Sequence, residues 1–109
     1  IYAQLVEQLK LRIVTGLYPP GSRVMAVREL AAEAAVNPNT MQRALAALEE
    51  QGLVYSQRTV GRFVTDDAER ISRERRALAS GKIRRFLDEM DALGFEKKEI
   101  LELLEEEEK

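Results

Sequence analysis

The chain has 109 residues, of which 45% are hydrophobic and 33% are charged, and its formal net charge is −2. It contains no histidine and no cysteine, which excludes Ser-His-Asp and Cys-His nucleophiles, thiolate zinc sites and imidazole metal ligands. It also lacks a Gly-rich phosphate loop and any apolar run of the ~20 residues that cross a membrane. These absences predict a cytoplasmic protein that is not an enzyme, uses no cofactor or metal and does not enter the membrane.

Two helices are predicted at the start of the chain. Apolar residues recur at helical spacing over residues 2–15, and Gly16 is a candidate for the end of this helix. The turn Leu17–Ser22 follows, where two prolines and a glycine stop any helix. A second, short helix is predicted from about Val27 to Ala34, and a tight connection follows it.

The third predicted helix begins with a strong start signal, Asn37 followed by Pro38. Asparagine is a preferred N-cap residue, and proline fits the first helical position because its missing N–H would have no partner there. Gly52 marks the end of this helix. Helical spacing separates an apolar face from a polar one: the apolar face holds Met41, Ala44, Leu45 and Leu48, and the opposite face holds Asn39, Gln42, Arg43 and Ala46.

A β-hairpin is predicted after the third helix, where the period of the sequence changes. Leu53–Ser56 and Arg62–Thr65 are two short β-prone runs. The segment QRTVG between them is basic and contains Gly61, as is typical of a hairpin tip.

Helical periodicity returns from Asp66 and continues through a stop at Leu93–Phe95 into a last amphipathic helix. The apolar stripe is too long for a helix that only contacts water, so it needs a partner surface. We expect a two-fold interface with a second copy, formed by Ile71, Leu78, Ile83, Phe86, Leu87, Met90 and Leu93. Charge is segregated too: residues 1–64 hold seven basic and five acidic side chains, and residues 65–109 hold ten and fourteen.

Two short helices joined by a tight turn, the second one capped and polar on its outer face, predict a helix-turn-helix. The second helix of such a motif enters the DNA major groove. The hairpin makes it a winged form, and Gly61 lets the wing backbone approach phosphates or the minor groove. The predicted fold is mainly α with a small β-hairpin: a winged helix-turn-helix at residues 1–66 and a two-helix dimerisation tail at residues 67–109.

Residues 1–64 resemble the winged helix of the GntR family of bacterial transcription regulators in the segments PPGSRV, VRELAAEAAV, NTMQRALAALEEQGLV and GRFV. In the tail, FLDEMDALGF and EILELLEE resemble the short-tailed YtrA-type subfamily. The resemblance implies a homodimeric repressor, often set beside a transporter operon, that dimerises through its tail. It also implies a palindromic operator in double-stranded DNA as the partner.

The resemblance further implies which residues meet DNA. Arg28 matches the arginine that such proteins place on the DNA backbone or a nearby base. The recognition-helix positions are Asn37, Asn39, Thr40, Gln42 and Arg43, and the wing positions are Arg58, Thr59, Gly61 and Arg62. Asparagine and glutamine can pair bidentately with adenine, and arginine with guanine or phosphate.

The chain departs from the family pattern at several positions. Val24–Ala26 stand where the family usually has Leu-Pro-Ser, so the second helix lacks its usual serine N-cap, at a cost of ~1 kcal/mol in local stability. Ala35 stands where the turn often has glycine. Relatives with more basic recognition helices have arginines at the positions of Pro38 and Gln42, so we expect half-sites that contain A·T pairs.

Two other functions remain open from the sequence. In one, the winged helix binds another protein and the tail forms an oligomer. In the other, the chain is the DNA-binding part of a fused aminotransferase-like regulator, which the self-contained helical tail disfavours. The sequence identifies no small-molecule effector, and the tail is expected to be too small to enclose a drug-sized pocket of ~300 Å³ within one chain.

Overall fold

The computed structural model describes residues 1–108. Within this range the helices and strands are, in chain order, α1 (Tyr2–Val14), α2 (Val27–Ala34), α3 (Pro38–Glu50), β1 (Val54–Gln57), β2 (Gly61–Val64), α4 (Ala68–Ala92) and α5 (Lys97–Glu107). The predicted fold class and the order of elements are confirmed, with each strand shifted by one residue from its predicted bounds. No helix in the described range is long and apolar enough to cross a membrane. The chain divides into two compact units, Ile1–Arg75 and a second that begins at Arg76.

The core of the first unit is built around α3, which packs against α1, α2 and β1. The apolar face predicted for α3 is almost completely buried: Met41, Ala44, Leu45 and Leu48. Full burial of one leucine side chain stabilises the fold by about 1.5–3 kcal/mol, so this face fixes the orientation of the helix. The rest of the core is formed by Leu5, Leu9, Ile13, Val24, Leu30, Ala31, Leu53, Val54 and Val64.

A polar brace joins α1 to α2 and to the loop after α1. The guanidinium of Arg12 donates to the hydroxyl of Tyr18 at 2.7 Å and forms an ion pair with Glu33 at 3.2 Å. The hydrogen bond to Tyr18 raises the pKa of Arg12 above its ordinary value. Because arginine is protonated at any working pH, the brace does not depend on pH through this group.

The turn between α2 and α3 contains a strained alanine. Ala35 has a left-handed backbone, with φ 57° and ψ 43°. Its N–H donates to the carbonyl of Ala32 at 3.2 Å. The next N–H, that of Val36, donates to the carbonyl of Ala31 at 3.0 Å. This is the Schellman pattern, which glycine usually completes, and an L-residue in this conformation costs roughly 1–2 kcal/mol.

The hairpin carries a third extended segment along its second strand. β1 and β2 pair antiparallel, with Gln57 opposite Gly61. On the other side of β2, Arg23 forms a β-bridge with Phe63. The pairing covers an edge of β2 that would otherwise be free, and it fixes residues 22–24 against the wing.

The first turns of α4 belong to the first unit. Ile71 is half-buried and packs against the core, and Lys10 of α1 forms an ion pair with Glu74 at 3.0 Å. Helical spacing alone assigns Ile71 to the dimer interface, but the structure places it against the winged helix because the start of α4 lies on that core. This compact unit ends within α4, at Arg75, and the domain boundary at residue 66 stays a prediction.

The second unit consists of the remainder of α4 together with α5. The stop at Leu93–Phe95 is formed by Gly94, with φ 93°, and Glu96 begins α5 with a capping box. As far as residue 108, only Ile100 is buried in this unit. The two helices of the tail are therefore present but leave most of their apolar side chains exposed.

Candidate nucleic-acid interface

The exposed face of α3 presents the amide side chains predicted to read DNA. Asn37 caps the helix, since its Oδ1 accepts the N–H of Asn39 at 2.7 Å, and Pro38 occupies the first helical turn. Asn39 and Gln42 are exposed, whereas Thr40 is half-buried. The oxygen of Asn37 is already engaged in the cap, so its first role is to fix where the helix begins.

Arg43 is held by an aromatic ring from α1. Its guanidinium lies over the ring of Tyr2, 4.6 Å from the ring centroid, which is a cation–π distance. Arg43 remains exposed, so its charge is presented to solvent in a restricted position. Tyr2 was not predicted from the sequence, because no spacing within α1 indicates which residue of α3 its side chains contact.

The start of α2 presents further polar groups. Arg28 is exposed in the first turn. Ala26 is the N-cap residue and makes no side-chain hydrogen bond, which agrees with the predicted loss of a serine cap. The first N–H groups of α2 therefore have no side-chain acceptor, and the start of a helix favours anions.

The tip of the wing is exposed and has an uncommon backbone. Arg58, Thr59 and Val60 are all exposed. The N–H of Val60 donates to the carbonyl of Gln57 at 3.0 Å and closes a turn. Thr59 has φ 65° and Gly61 has φ 132°, so threonine occupies a position where glycine or asparagine is usual.

Arg62 is directed to α3 and is not free at the wing tip. Its Nε lies 3.6 Å from Oε1 of Glu49, and the Ser56 hydroxyl donates to the same oxygen at 2.6 Å. The 3.6 Å separation is an ion pair but too long for a hydrogen bond, and the buried Nε has no hydrogen-bond partner within residues 1–108. Glu49 was not predicted from the sequence, since an ion pair between a helix and a strand leaves no signal in the spacing of either.

A groove of about 430 Å³ joins the wing to the start of α2. Its lining residues are Arg23–Val27, Ser56, Gln57 and Thr59–Arg62. The structure therefore brings Thr59, Gly61 and Arg62 of the wing together with the residues before α2, whereas Arg58, Arg28 and the residues of α3 do not line this groove. No carboxylate lines it either, and in the part of the chain that the structure describes no carboxylates cluster to hold a metal ion.

Arg23, in the same groove, is a further cation that sequence analysis missed. It is exposed, and its guanidinium lies beside Gly61. The position of Arg23 depends on its β-bridge to Phe63, which joins two segments about forty residues apart in sequence and leaves no periodic signal.

The profile of the family described as "Bacterial regulatory proteins, gntR family" matches residues 1–64. The chain belongs to the GntR family. Two relatives from Bacillus subtilis (strain 168) are each 35% identical to it. The uncharacterized HTH-type transcriptional regulator YhcF matches over 94% of this chain and 84% of that protein. The HTH-type transcriptional repressor YtrA matches over 62% of this chain and 52% of that protein, and the predicted YtrA-type resemblance is confirmed.

Solved structures of GntR proteins share the fold. A GntR family transcriptional regulator from Listeria monocytogenes matches with a TM-score of 0.89 and 38% identity, over 96% of this chain and 92% of that chain. AraR(DBD), solved in complex with operator ORR3, matches with a TM-score of 0.56 and 33% identity, over 59% of this chain and 77% of that chain. This GntR chain is a DNA-binding transcriptional regulator with a winged helix-turn-helix.

Proposed function

We propose that this GntR regulator is a homodimeric repressor of the bacterial cytoplasm that binds a palindromic DNA operator and acts by binding, without catalysis. One observation carries the proposal: α3 is capped by Asn37, buried on one face, and presents Asn39 and Gln42 on the other. AraR(DBD) is solved on operator DNA, and YtrA is described as a repressor. By the same likeness to YtrA-type proteins, a transporter operon is the proposed target.

The exposed groups of α3 are assigned to base reading. Asn39 and Gln42 carry amides, which pair bidentately with adenine in the major groove, so A·T pairs are the proposed preference of each half-site. Thr40 and Arg43 lie beside them on the same helix, Arg43 restrained by Tyr2. Asn37 serves this surface chiefly through its cap.

Sequence-independent contacts are assigned to the start of α2 and to the wing. Arg28 and Arg58 are exposed cations that suit DNA phosphates, which orient a protein on the duplex without reading its sequence. Thr59 and Gly61, both with positive φ, shape the turn at the tip of the wing. Arg62 is assigned a supporting role rather than a DNA contact, because its ion pair with Glu49 joins the wing to α3.

Dimerisation is assigned to the second unit because its apolar side chains are exposed. Ile83 is 58% exposed and Leu93 is 72% exposed. An open groove of about 550 Å³ lies between α4 and α5, lined by Ile83, Phe86, Leu87, Lys97, Ile100, Leu101 and Leu104. Contiguous exposed apolar surface of this kind marks an interface. The proposed interface residues are Leu78, Ile83, Phe86, Leu87, Met90 and Leu93, without Ile71.

The test compares Gln42→Ala with Arg28→Ala on an operator selected from random duplexes. Loss of Gln42 should relax the preference at one base pair by ~1–3 kcal/mol. Loss of Arg28 should weaken all duplexes alike and reduce the salt slope of log K by about 1. If both variants lose affinity equally and independently of the DNA sequence, Gln42 does not read a base.

A second measurement separates a DNA-binding repressor from a protein-interaction module. Fluorescence anisotropy with a non-specific duplex at low salt should show weak binding whose affinity falls steeply with added salt. A module that docks on proteins would show no such dependence, and the absence of any duplex binding would contradict the proposed function as a whole.

A further inference from the structure

Arg23 is fixed to the wing through its backbone. Its β-bridge to Phe63 is flanked by two hydrogen bonds. The Val24 N–H donates to the carbonyl of Arg62 at 2.9 Å, and the Val64 N–H donates to the carbonyl of Ser22 at 2.8 Å. Only the side-chain torsions of Arg23 are left free, so ordering this residue on a ligand costs less entropy than it would in a mobile loop.

The side chain of Arg23 occupies the space above Gly61. A Cβ added to Gly61 would lie 3.0 Å from Nε and 3.3 Å from Nη2 of Arg23. A side chain at position 61 would therefore force the guanidinium to shift by at least a few tenths of an ångström. Glycine has two functions here: it adopts φ 132°, and it leaves room for the arginine.

The charge of Arg23 is not neutralised by the protein. Within residues 1–108 no carboxylate lies within the 4.0 Å of an ion pair with Arg23, whereas Arg12 pairs with Glu33 and Arg62 pairs with Glu49. The groove that contains Arg23 has no acidic lining residue. An exposed guanidinium in such a groove presents its donors to an anion, and planar arginine suits phosphate geometry.

We propose that Arg23 is a further DNA contact, a sequence-independent phosphate anchor seated on Gly61 beside the wing. This inference rests on the proposed approach of the wing to DNA. The ligand is a phosphate of the duplex backbone, which carries no sequence information. Gly61, expected from the sequence to let the wing backbone approach DNA, acts here mainly by seating the guanidinium.

The first experiment measures Arg23→Ala in the full chain by anisotropy, on the selected operator and on a non-specific duplex over a range of salt. Affinity should fall roughly tenfold, the order expected for one lost charge-assisted contact, by the same factor on both duplexes. The slope of log K against log salt should fall by about 1. Arg75→Ala is the matched control, because Arg75 is an exposed arginine of α4 outside the groove, and its affinity and slope should stay as in the wild type.

The second experiment tests whether Gly61 positions the guanidinium of Arg23. Gly61→Ala should also weaken both duplexes, since the added Cβ displaces Arg23. In the double-mutant cycle the effects of Arg23→Ala and Gly61→Ala should combine less than additively. Strain from the backbone of residue 61 is present in both backgrounds and cancels in the cycle.

Three outcomes would overturn the inference: wild-type affinity for Arg23→Ala, a loss of affinity with an unchanged salt slope, or fully additive losses in the cycle. The thermal melt of Arg23→Ala should match the wild type, since the side chain is exposed. If the wild type binds duplex and Gln42→Ala relaxes specificity while Arg23→Ala behaves as wild type, only this inference fails. If the wild type binds no duplex, the proposed function fails with it.

Discussion

The winged-helix unit, Ile1–Arg75, buries its apolar side chains, whereas the tail that begins at Arg76 leaves most of them exposed. In the described residues, fourteen of the fifteen buried hydrophobic side chains lie in the first unit, and Ile100 alone lies in the second. The tail is no less apolar in pattern, since Leu93 and Ile83 continue a helical stripe, but both are largely exposed.

The difference shows which apolar surface one chain can bury by itself and which it leaves exposed. The first unit buries its stripe against its own elements, so we expect it to fold without a partner. The second unit has helices with good local signals, such as the capping box at Glu96, but the apolar surface along them is left without cover. An exposed apolar surface of this kind favours association, because burying it stabilises by about 25 cal/mol per Å².

The largest expected effect is on the core of the first unit. Leu45→Ala removes a side chain that is 1% exposed, and we expect the free energy of unfolding to fall by ~2–5 kcal/mol. Leu17→Ala is the matched control, at a leucine that is 68% exposed, and should change it by less than ~0.5 kcal/mol. Urea unfolding measures both, and equal effects would contradict a self-sufficient first unit.

The next effect concerns the tail. Leu87→Glu places a charge in the open groove between α4 and α5, so it should dissociate the dimer and reduce operator affinity by ~100-fold, the avidity lost with the second half-site. Its circular dichroism should stay close to that of the wild type. Leu17→Glu adds the same charge at an exposed leucine of the first unit and should remain dimeric. If Leu87→Glu sediments as a dimer and binds the operator with wild-type affinity, the tail is not the dimer interface.

A smaller, opposite effect is expected at the turn between α2 and α3. Ala35→Gly relieves the left-handed alanine, and part of the gain is offset by the greater freedom of glycine when unfolded. We expect a net stabilisation of about 0.5–1 kcal/mol. Ala34→Gly, one residue earlier in helical backbone, should instead destabilise by about as much. Thermal melts of both variants decide the sign, and two melting temperatures that move together would contradict the strain assigned to Ala35.

A stabilisation of similar size is expected at the start of α2. Ala26→Ser supplies an oxygen at the N-cap position and should raise stability by ~0.5–1 kcal/mol. Ala32→Ser, in the exposed interior of the same helix, should not stabilise, because serine is a poorer helix former than alanine. An unchanged melting temperature for Ala26→Ser with DNA binding intact would mean that the missing cap does not limit this helix.

The order of helices and strands could be predicted because its signals are local. The cap at Asn37 with Pro38, the apolar period of each helix and the glycine stops are all contained within a few neighbouring residues, and the structure confirms them. Ile71 shows the limit of this reasoning. Its spacing matches the tail stripe, yet it packs on the winged helix, since periodicity defines a face without saying what covers it.

The candidate site was less predictable for the same reason. Sequence spacing and family resemblance indicate that Arg43, Arg58 and Arg62 occupy the relevant helix and wing, but not which partners they meet. Arg62 meets Glu49, and Arg23 reaches the wing only through a bridge between distant segments. Partners across elements depend on tertiary packing, so the division between free and paired arginines required the structure.

Dimerisation through the tail is tested by comparing the full chain with a fragment of residues 1–75, by sedimentation and by operator titration at one salt concentration. We expect the full chain to be a dimer at micromolar concentration. We expect the fragment, which keeps Ile71 and Glu74 on the core, to be a folded monomer that binds the operator ~100-fold more weakly. A full chain that sediments as a monomer, or a fragment that binds the operator as tightly as the full chain, would contradict dimerisation through the tail.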